Sequence, residues 1–484
     1  MSAPRQLLIL LSIPLFAALG GCRTADETAD SAPPNVVLVM ADDMGWGQTG
    51  YYGHPAFETP ALDAMAEAGL RFDRFYAGAP NCSPTRATVL TGRTNDRTGV
   101  ENHGYALRRQ ERTLSRAMDE TGYATGHFGK WHLNGLRGAG VPVLADDSHS
   151  PGVFGFQHWL SATNFFERDP LMSRNGLFVQ MEGDSSEVVI DAALDFMRSR
   201  VAEGRPFFVV VWYGTPHSPW IASDADRAAF ASLDERAQHH YGELAAMDRS
   251  VGTLRAGLRE MQVEGNTVVW FTSDNGGLPR FEPGTVANLR GFKGSLYEGG
   301  IRVPAIVEWP DGIPEPRVTS FPAATMDIFP TVAALAGLGN EAMLRPQDGM
   351  DLTPLFRGEA NLREKPIGFR HQGRIAMIDN DLKIVDMDQE NRAYELFDLA
   401  ADPGETTDIG ADRPDDLARL REALDAWNAS VEASAKGGDY PSGDFDPEES
   451  LPAWWMAEEG YAPYLEEWRN RPEYASFIER ELGQ

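Results

Sequence analysis

Cysteine is nearly missing from this sequence: 484 residues contain two, Cys22 and Cys82. A disulfide-stapled scaffold is thereby excluded. Positive charge is also scarce, with 43 Lys and Arg against 72 Asp and Glu and a formal charge of −29. Nucleic acid and anionic membrane surfaces are poor partners for such a chain, and an anionic substrate would need local positive charge. No internal repeat is visible, and the apolar run Leu7–Leu19 falls short of the roughly 20 residues that a spanning helix needs. What remains is an ordinary globular composition. A hydrophobic content of 42% supports a sizeable core in one large domain plus a smaller one.

Residues 1–21 combine one positive charge at Arg5, the Leu7–Leu19 run and small residues before Cys22, the pattern of an export signal. The ending "LGGC" resembles the bacterial lipobox, whose cysteine becomes the lipidated first residue. The expectation is an exported lipoprotein of the cell envelope, periplasmic or at the surface, touching membrane only through an anchor at Cys22. A plain signal peptide cleaved beyond Cys22 is the alternative. Residues 22–34 are polar and read as a tether. With Cys22 committed to lipid, Cys82 has no intramolecular partner in an oxidising compartment, and an isolated thiol there needs a reason.

Short apolar runs, "NVVLVM" at 35–40, "YATGHFG" at 123–129, "PFFVVVWY" at 206–213, "TVVWFTS" at 267–273 and "PAIVEW" at 304–309, alternate with amphipathic stretches. Near-continuous apolar strands separated by helices predict an α/β fold with a large, mainly parallel sheet sandwiched by helices, over residues 35–364. From about Lys365 several alternating strands precede the helical pattern "RPDDLARLREALDAWNASV", predicting a smaller C-terminal α+β subdomain over 365–436. Residues 437–484 form an acidic, aromatic tail with no evident role.

Ligands of parallel sheets bind outside the carboxyl ends of the strands, so the residues just past each run matter. Asp42 and Asp43 follow the first run, and Asp274 and Asn275 follow "TVVWFTS". Three carboxylates and an amide suit a hard cation, calcium or magnesium, better than zinc. Each pair alone would equally be a cap or turn. Lys130, His132 and His217 follow two other runs. If the strand continues, Lys130 and His132 point the same way, although each singly reads as a structural or surface residue. In "NCSPTRATVLTGR" Ser83 is a good N-cap and Pro84 a good first-turn residue, predicting a helix that starts directly after Cys82 with Arg86 one turn in. Both features favour an anion or oxyanion at Cys82. A small buried cysteine at a helix start is the other reading.

"CSPTR" matches the Cys-x-Pro-x-Arg signature of the type I formylglycine-dependent sulfatases, arylsulfatase-like members of the alkaline phosphatase superfamily. "VLVMADDMGWGQTGYYG", "GKWHLN", "TPHSPW", "FTSDNGG", "LRGFKGSLYEGGIRVPAIVEWP" and "YELFDLAADPGETTDI" accompany it in the family's order, and the chain resembles that family from Asn35 to Ile409. The resemblance implies a hydrolase of sulfate monoesters whose Cys82 is oxidised by a separate formylglycine-generating maturation enzyme. It implies a metal, usually calcium, on Asp42, Asp43, Asp274 and Asn275 that also contacts residue 82. Arg86 and Lys130 would hold the formylglycine hydrate, and Lys293, His217 and Lys130 would offset charge on the sulfuryl oxygens. His217 would protonate the leaving oxygen, and His132 would take the proton that lets sulfate depart. One departure stands out: where some arylsulfatases place a serine contact after "GF", this chain offers Asn164 or Phe165. The loop holding His103, Arg108 and Arg109 lies where family members build substrate subsites, and it reads equally as a solvated loop. The anchor favours a sulfated carbohydrate as substrate. The alternatives are a phosphodiesterase or phosphonate monoester hydrolase of the same superfamily, and a non-catalytic glycan-binding lipoprotein.

Overall fold

The computed structural model describes residues 33–388, 391–441 and 444–482; the expected signal, Cys22 and most of the tether lie outside the described residues. From Pro33 onward the chain forms one compact unit. None of its described helices is long and apolar enough to cross a membrane.

Twelve strands precede the C-terminal third: β1 Asn35–Ala41, β2 Leu70–Tyr76, β3 Ala124–Lys130, β4 Leu136–Arg137, β5 His158–Ala162, β6 Leu171–Arg174, β7 Leu177–Gln180, β8 Phe207–Trp212, β9 Thr267–Ser273, β10 Arg302–Glu308, β11 Arg317–Thr319 and β12 Ala323–Ala324. All but β4 join one sheet, ordered β11-β2-β10-β9-β1-β8-β3-β5-β6-β7 with β12 beside β2. The central strands β9, β1, β8, β3 and β5 are parallel. β10 runs antiparallel to both neighbours, and β6 and β7 are antiparallel too, so the sheet is mixed at its flanks.

Alternation along β1 explains its unbroken apolar sequence. Val36, Leu38 and Met40 enter one core, and Val37, Val39 and Ala41 enter the core on the other face. β8 repeats this, with Phe208, Val210 and Trp212 on one side and Phe207, Val209 and Val211 on the other. A strand buried on both faces has no solvated side to make polar.

The smaller sheet is β13 Ile367–His371, β14 Arg374–Asp379, β15 Leu382–Asp386 and β16 Tyr394–Asp398, antiparallel in that order. The helix Pro414–Ala435 covers one face through Leu420 and Leu424. The other face, with Ile367, Phe369 and Val385, packs on Tyr76, Leu296 and Met326 of the larger part. At that seam Lys383 is fully buried, 3.0 Å from Glu298 and 2.8 Å from Glu405.

The tail has a role that its composition did not disclose. Trp455, Tyr461, Trp468, Tyr474 and Ile478 form a core with Leu136, Ala139 and Val141, and β17 Ala453–Trp454 pairs with β4. Its aromatic density is the signature of a buried cluster.

Removing one member of a buried ion cluster leaves the others uncompensated. Lys383→Met is expected to lower unfolding free energy by about 3–5 kcal/mol, measured by urea denaturation. A loss below about 1 kcal/mol would refute the seam's dependence on this lysine.

Candidate active site

The sheet register brings the scattered segments together. Ala41 of β1 pairs with Ser273 of β9, so Asp42–Asp43 and Asp274–Asn275 leave adjacent strand ends side by side. Asp43 donates its N–H to Asp274 Oδ1 at 3.1 Å and adopts a left-handed backbone, φ 74°. On the other side β8 delivers the loop to His217, and β3 ends at Lys130 beside it. Four neighbouring strands thus supply the site.

Cys82 opens the helix Cys82–Thr91, but the N-cap is Asn81, not Ser83. Asn81 is extended and its side chain accepts from Cys82 N–H at 2.9 Å, while Ser83 Oγ accepts from Gly104 N–H. The thiol is 2% exposed. Sγ donates to Asp42 Oδ1 at 3.3 Å, and Lys293 Nζ lies 3.3 Å from Sγ. Burial first, then the Asp274 and Asp42 carboxylates, push this thiol well above its ordinary range. The helix terminus does not yield a thiolate here.

One oxygen each from Asp42, Asp43 and Asp274, together with Cys82 Sγ, lie within 4.8 Å of one another. Asn275 Nδ2 donates to Asp43 Oδ1 at 2.8 Å, and Asn275's own Oδ1 is buried without a partner. Burial and Asp42 raise the Asp274 carboxyl to about 7. Crowded carboxylates and an orphaned amide oxygen fit a hard divalent cation.

Cations surround the carboxylates. Lys130 Nζ is 2.5 Å from Asp42, and Lys293 Nζ is 2.5 Å from Asp43. Arg86 reaches Asp274 at 2.8 Å and Asp42 at 3.5 Å, donates to the Lys130 carbonyl, and lies over the Trp212 ring. Burial would raise Asp42, but Lys130 and Arg86 outweigh it and hold its carboxyl well below the usual range.

His132 and Lys130 do not share a strand face as expected. The strand stops at Lys130, and His132 sits in a left-handed conformation, φ 56°. Its ring is buried with both nitrogens unpartnered. Burial and Lys130 hold it well below its ordinary range, in the neutral form. His217 stacks on Phe165, centroids 4.9 Å apart, with Nδ1 against the Ser218 carbonyl and Nε2 3.9 Å from Asp43. Burial and Lys293 lower it to about 4.

A cavity of about 590 Å³ opens over Cys82, His132, His217 and Lys293. Asn164 and His103 reach it, as does Phe165. Arg108 does not: it is 4% exposed, donates to the Arg97 and Ala435 carbonyls and lies over Phe445. This arginine serves as a brace, and Arg109 pairs with Glu449 at 2.7 Å. Lining residues that sequence reasoning missed include Asn81, Asn102, Arg137, His371, Trp454 and Phe477. Asn81 was within reach, since it immediately precedes Cys82 and its residue type favours caps. His371 comes from the end of β13 and Trp454 from the tail, whose arrival at this cavity no local pattern announces.

Fold and site define an α/β protein whose large, mainly parallel sheet gathers acids, cations and histidines at its strand ends. Residues 34–338 match the family model described as Sulfatase. The chain is 34% identical to pig (Sus scrofa) N-acetylgalactosamine-6-sulfatase over 72% of its length and 70% of the relative's. It is also 34% identical to human (Homo sapiens) arylsulfatase A, over 74% and 72%. In fold it resembles Ps i-CgsB, solved in complex with k-i-k-neocarrahexaose, with a TM-score of 0.74 and 24% identity over 92% of this chain and all of that one. The chain belongs to the sulfatase family and is a sulfuric ester hydrolase.

The cation pocket has a direct test. Calcium at a hundredfold its Kd is expected to stabilise the protein by about 2.7 kcal/mol over the chelator-treated state, read from denaturant midpoints, and Asn275→Ala should weaken the effect. No stabilisation by calcium or magnesium would exclude a cation here.

Proposed function

We propose that this sulfatase removes sulfate from a carbohydrate, using a formylglycine derived from Cys82 and a calcium ion held by Asp42, Asp43, Asp274 and Asn275, with magnesium as the alternative ion. The observation that carries this reading is the state of Cys82. A buried, protonated thiol facing carboxylates is a poor nucleophile, yet it lines the cavity, with Lys293 and Asp42 each 3.3 Å from Sγ. Conversion to an aldehyde by a maturation enzyme resolves the contradiction. The hydrated aldehyde supplies one hydroxyl as nucleophile and a second through which sulfate is expelled, so water need not attack an anionic ester. A calcium ion bound by these four residues would supply positive charge to offset that of a sulfate ester.

The protein's own groups supply the rest. Lys293, 3.3 Å from Sγ, neutralises charge growing on a sulfuryl oxygen. His217 is neutral in the empty cavity; an anionic sulfate ester beside it favours protonation, and the proton then passes to the leaving oxygen. His132, neutral and unpartnered, accepts the proton released as sulfate departs. Arg86 and Lys130 hold the carboxylates through their ion pairs and so act on residue 82 through Asp42 and Asp274. Support for a sugar substrate comes from the N-acetylgalactosamine-6-sulfatase relative and the oligosaccharide-bound neighbour. The N-terminal run and "LGGC" support export and a lipid anchor at Cys22.

The test is the mass of the tryptic peptide Phe75–Arg86 from a host with active sulfatase maturation, followed by rates on sulfated monosaccharides, aryl sulfates and phosphodiesters. Formylglycine at position 82 and fastest turnover of a sugar sulfate are expected. Lys293→Ala should lower kcat by about 10²–10³-fold. An unmodified thiol, or faster phosphodiester cleavage, would overturn the proposal.

A further inference from the structure

A second cavity, of about 1060 Å³, adjoins the first. Phe165, His217 and Phe477 line both, so the two are halves of one cleft divided by a ridge. His217 stands on that ridge. Both volumes are of the size that accommodates small-molecule groups.

The halves differ in charge. The first is lined by Lys293, Arg137 and four histidines, His103, His132, His217 and His371, and by no carboxylate among the described residues. The second carries Glu167, Asp169 and Glu473 against Arg168 and Arg471. Arg471 is already bound to Glu473 at 2.6 Å and to Gln180 at 2.8 Å. Aromatic surface flanks these acids, from Phe165 and Trp220 on one side and Phe477 on the other. Burial and Glu473 raise the Glu167 carboxyl to about 7, a sign that this half already resists negative charge.

We infer that the second cavity binds an uncharged sugar unit attached to the sulfated one, and that it disfavours a neighbour carrying sulfate or carboxylate. Carboxylates accept hydrogen bonds from sugar hydroxyls, and aromatic faces cover the apolar face of a sugar ring. A second anion would meet one more acid than arginine, and among the described residues Glu167 and Asp169 have no ion pair to soften the encounter. The ridge places the scissile oxygen near His217 and directs the rest of the molecule over it. Much of the far wall, from Arg471 to Phe477, belongs to the tail beyond the sulfatase family match.

This inference rests on the carbohydrate-sulfatase reading, and its test separates the two. The sulfated monosaccharide turned over fastest is compared with two disaccharides containing it, one extended by a neutral hexose and one by a uronic acid. For the wild-type protein, kcat/KM should be highest with the neutral extension and at least about tenfold lower with the uronic acid. Glu167→Lys should shrink that ratio about tenfold and Glu167→Gln by less, which keeps the test open if the lysine variant folds poorly. Equal rates on all three substrates, or preference for the uronic acid, would overturn the second site while leaving the sulfatase reading intact. Failure to hydrolyse any sulfate ester would overturn both.

Discussion

Three carboxylates crowded into one buried pocket are the constraint to which the rest of the site answers. Asp42, Asp43 and Asp274 lie at adjacent strand ends because β1 and β9 pair in register, and like charges so placed repel strongly where water is excluded. Arg86, Lys130 and Lys293 each end on one of these acids. The acids therefore hold the cations in fixed positions, and the cations in turn make burial of the acids tolerable. A site assembled this way is organised before substrate arrives. Cys82 sits where both sets meet, within 3.3 Å of a carboxylate and an ammonium group alike.

That balance was partly legible in the sequence because it is tied to strand ends. A strand buried on both faces must be apolar throughout, so the first polar residue after each run marks the rim of the sheet. Asp42, Asp274, Lys130 and His217 were all found by that rule. The rule gives position along the chain and leaves side-chain direction open. Lys130 and His132 would face one way if the strand continued, but the chain leaves the strand at Lys130 and turns left-handed at His132. Nothing in "GKWHLN" marks that turn, since neither glycine nor asparagine occupies the turning position.

Longer-range folding hid the remainder. Arg108 looks like an exposed anion contact beside Arg109. It is buried because the tail returns across more than three hundred residues to lay Tyr440 and Phe445 against it. The same return brings Trp454 and Phe477 to the cavity. Composition identified the tail as acidic and aromatic, but an aromatic cluster states only that something will be buried, never against what.

The tail also bears on how an acidic protein handles an acidic substrate. At physiological ionic strength exposed charges are screened beyond about 8 Å, so most of the formal charge of −29 does not reach the bottom of the cleft. There, Lys293 and Arg137 line the first cavity and supply its positive charge. Beyond the three carboxylates that pair with Arg86, Lys130 and Lys293, the acids within reach are those of the second cavity, Glu167, Asp169 and Glu473. Global charge is thus silent about the reacting centre, while a few carboxylates beside it can still decide which substrates approach. Glu473 is held on the helix Pro472–Leu482, whose buried residues Tyr474 and Ile478 anchor it in the tail's core. The packing that closes the fold therefore also fixes the charge at the far end of the cleft.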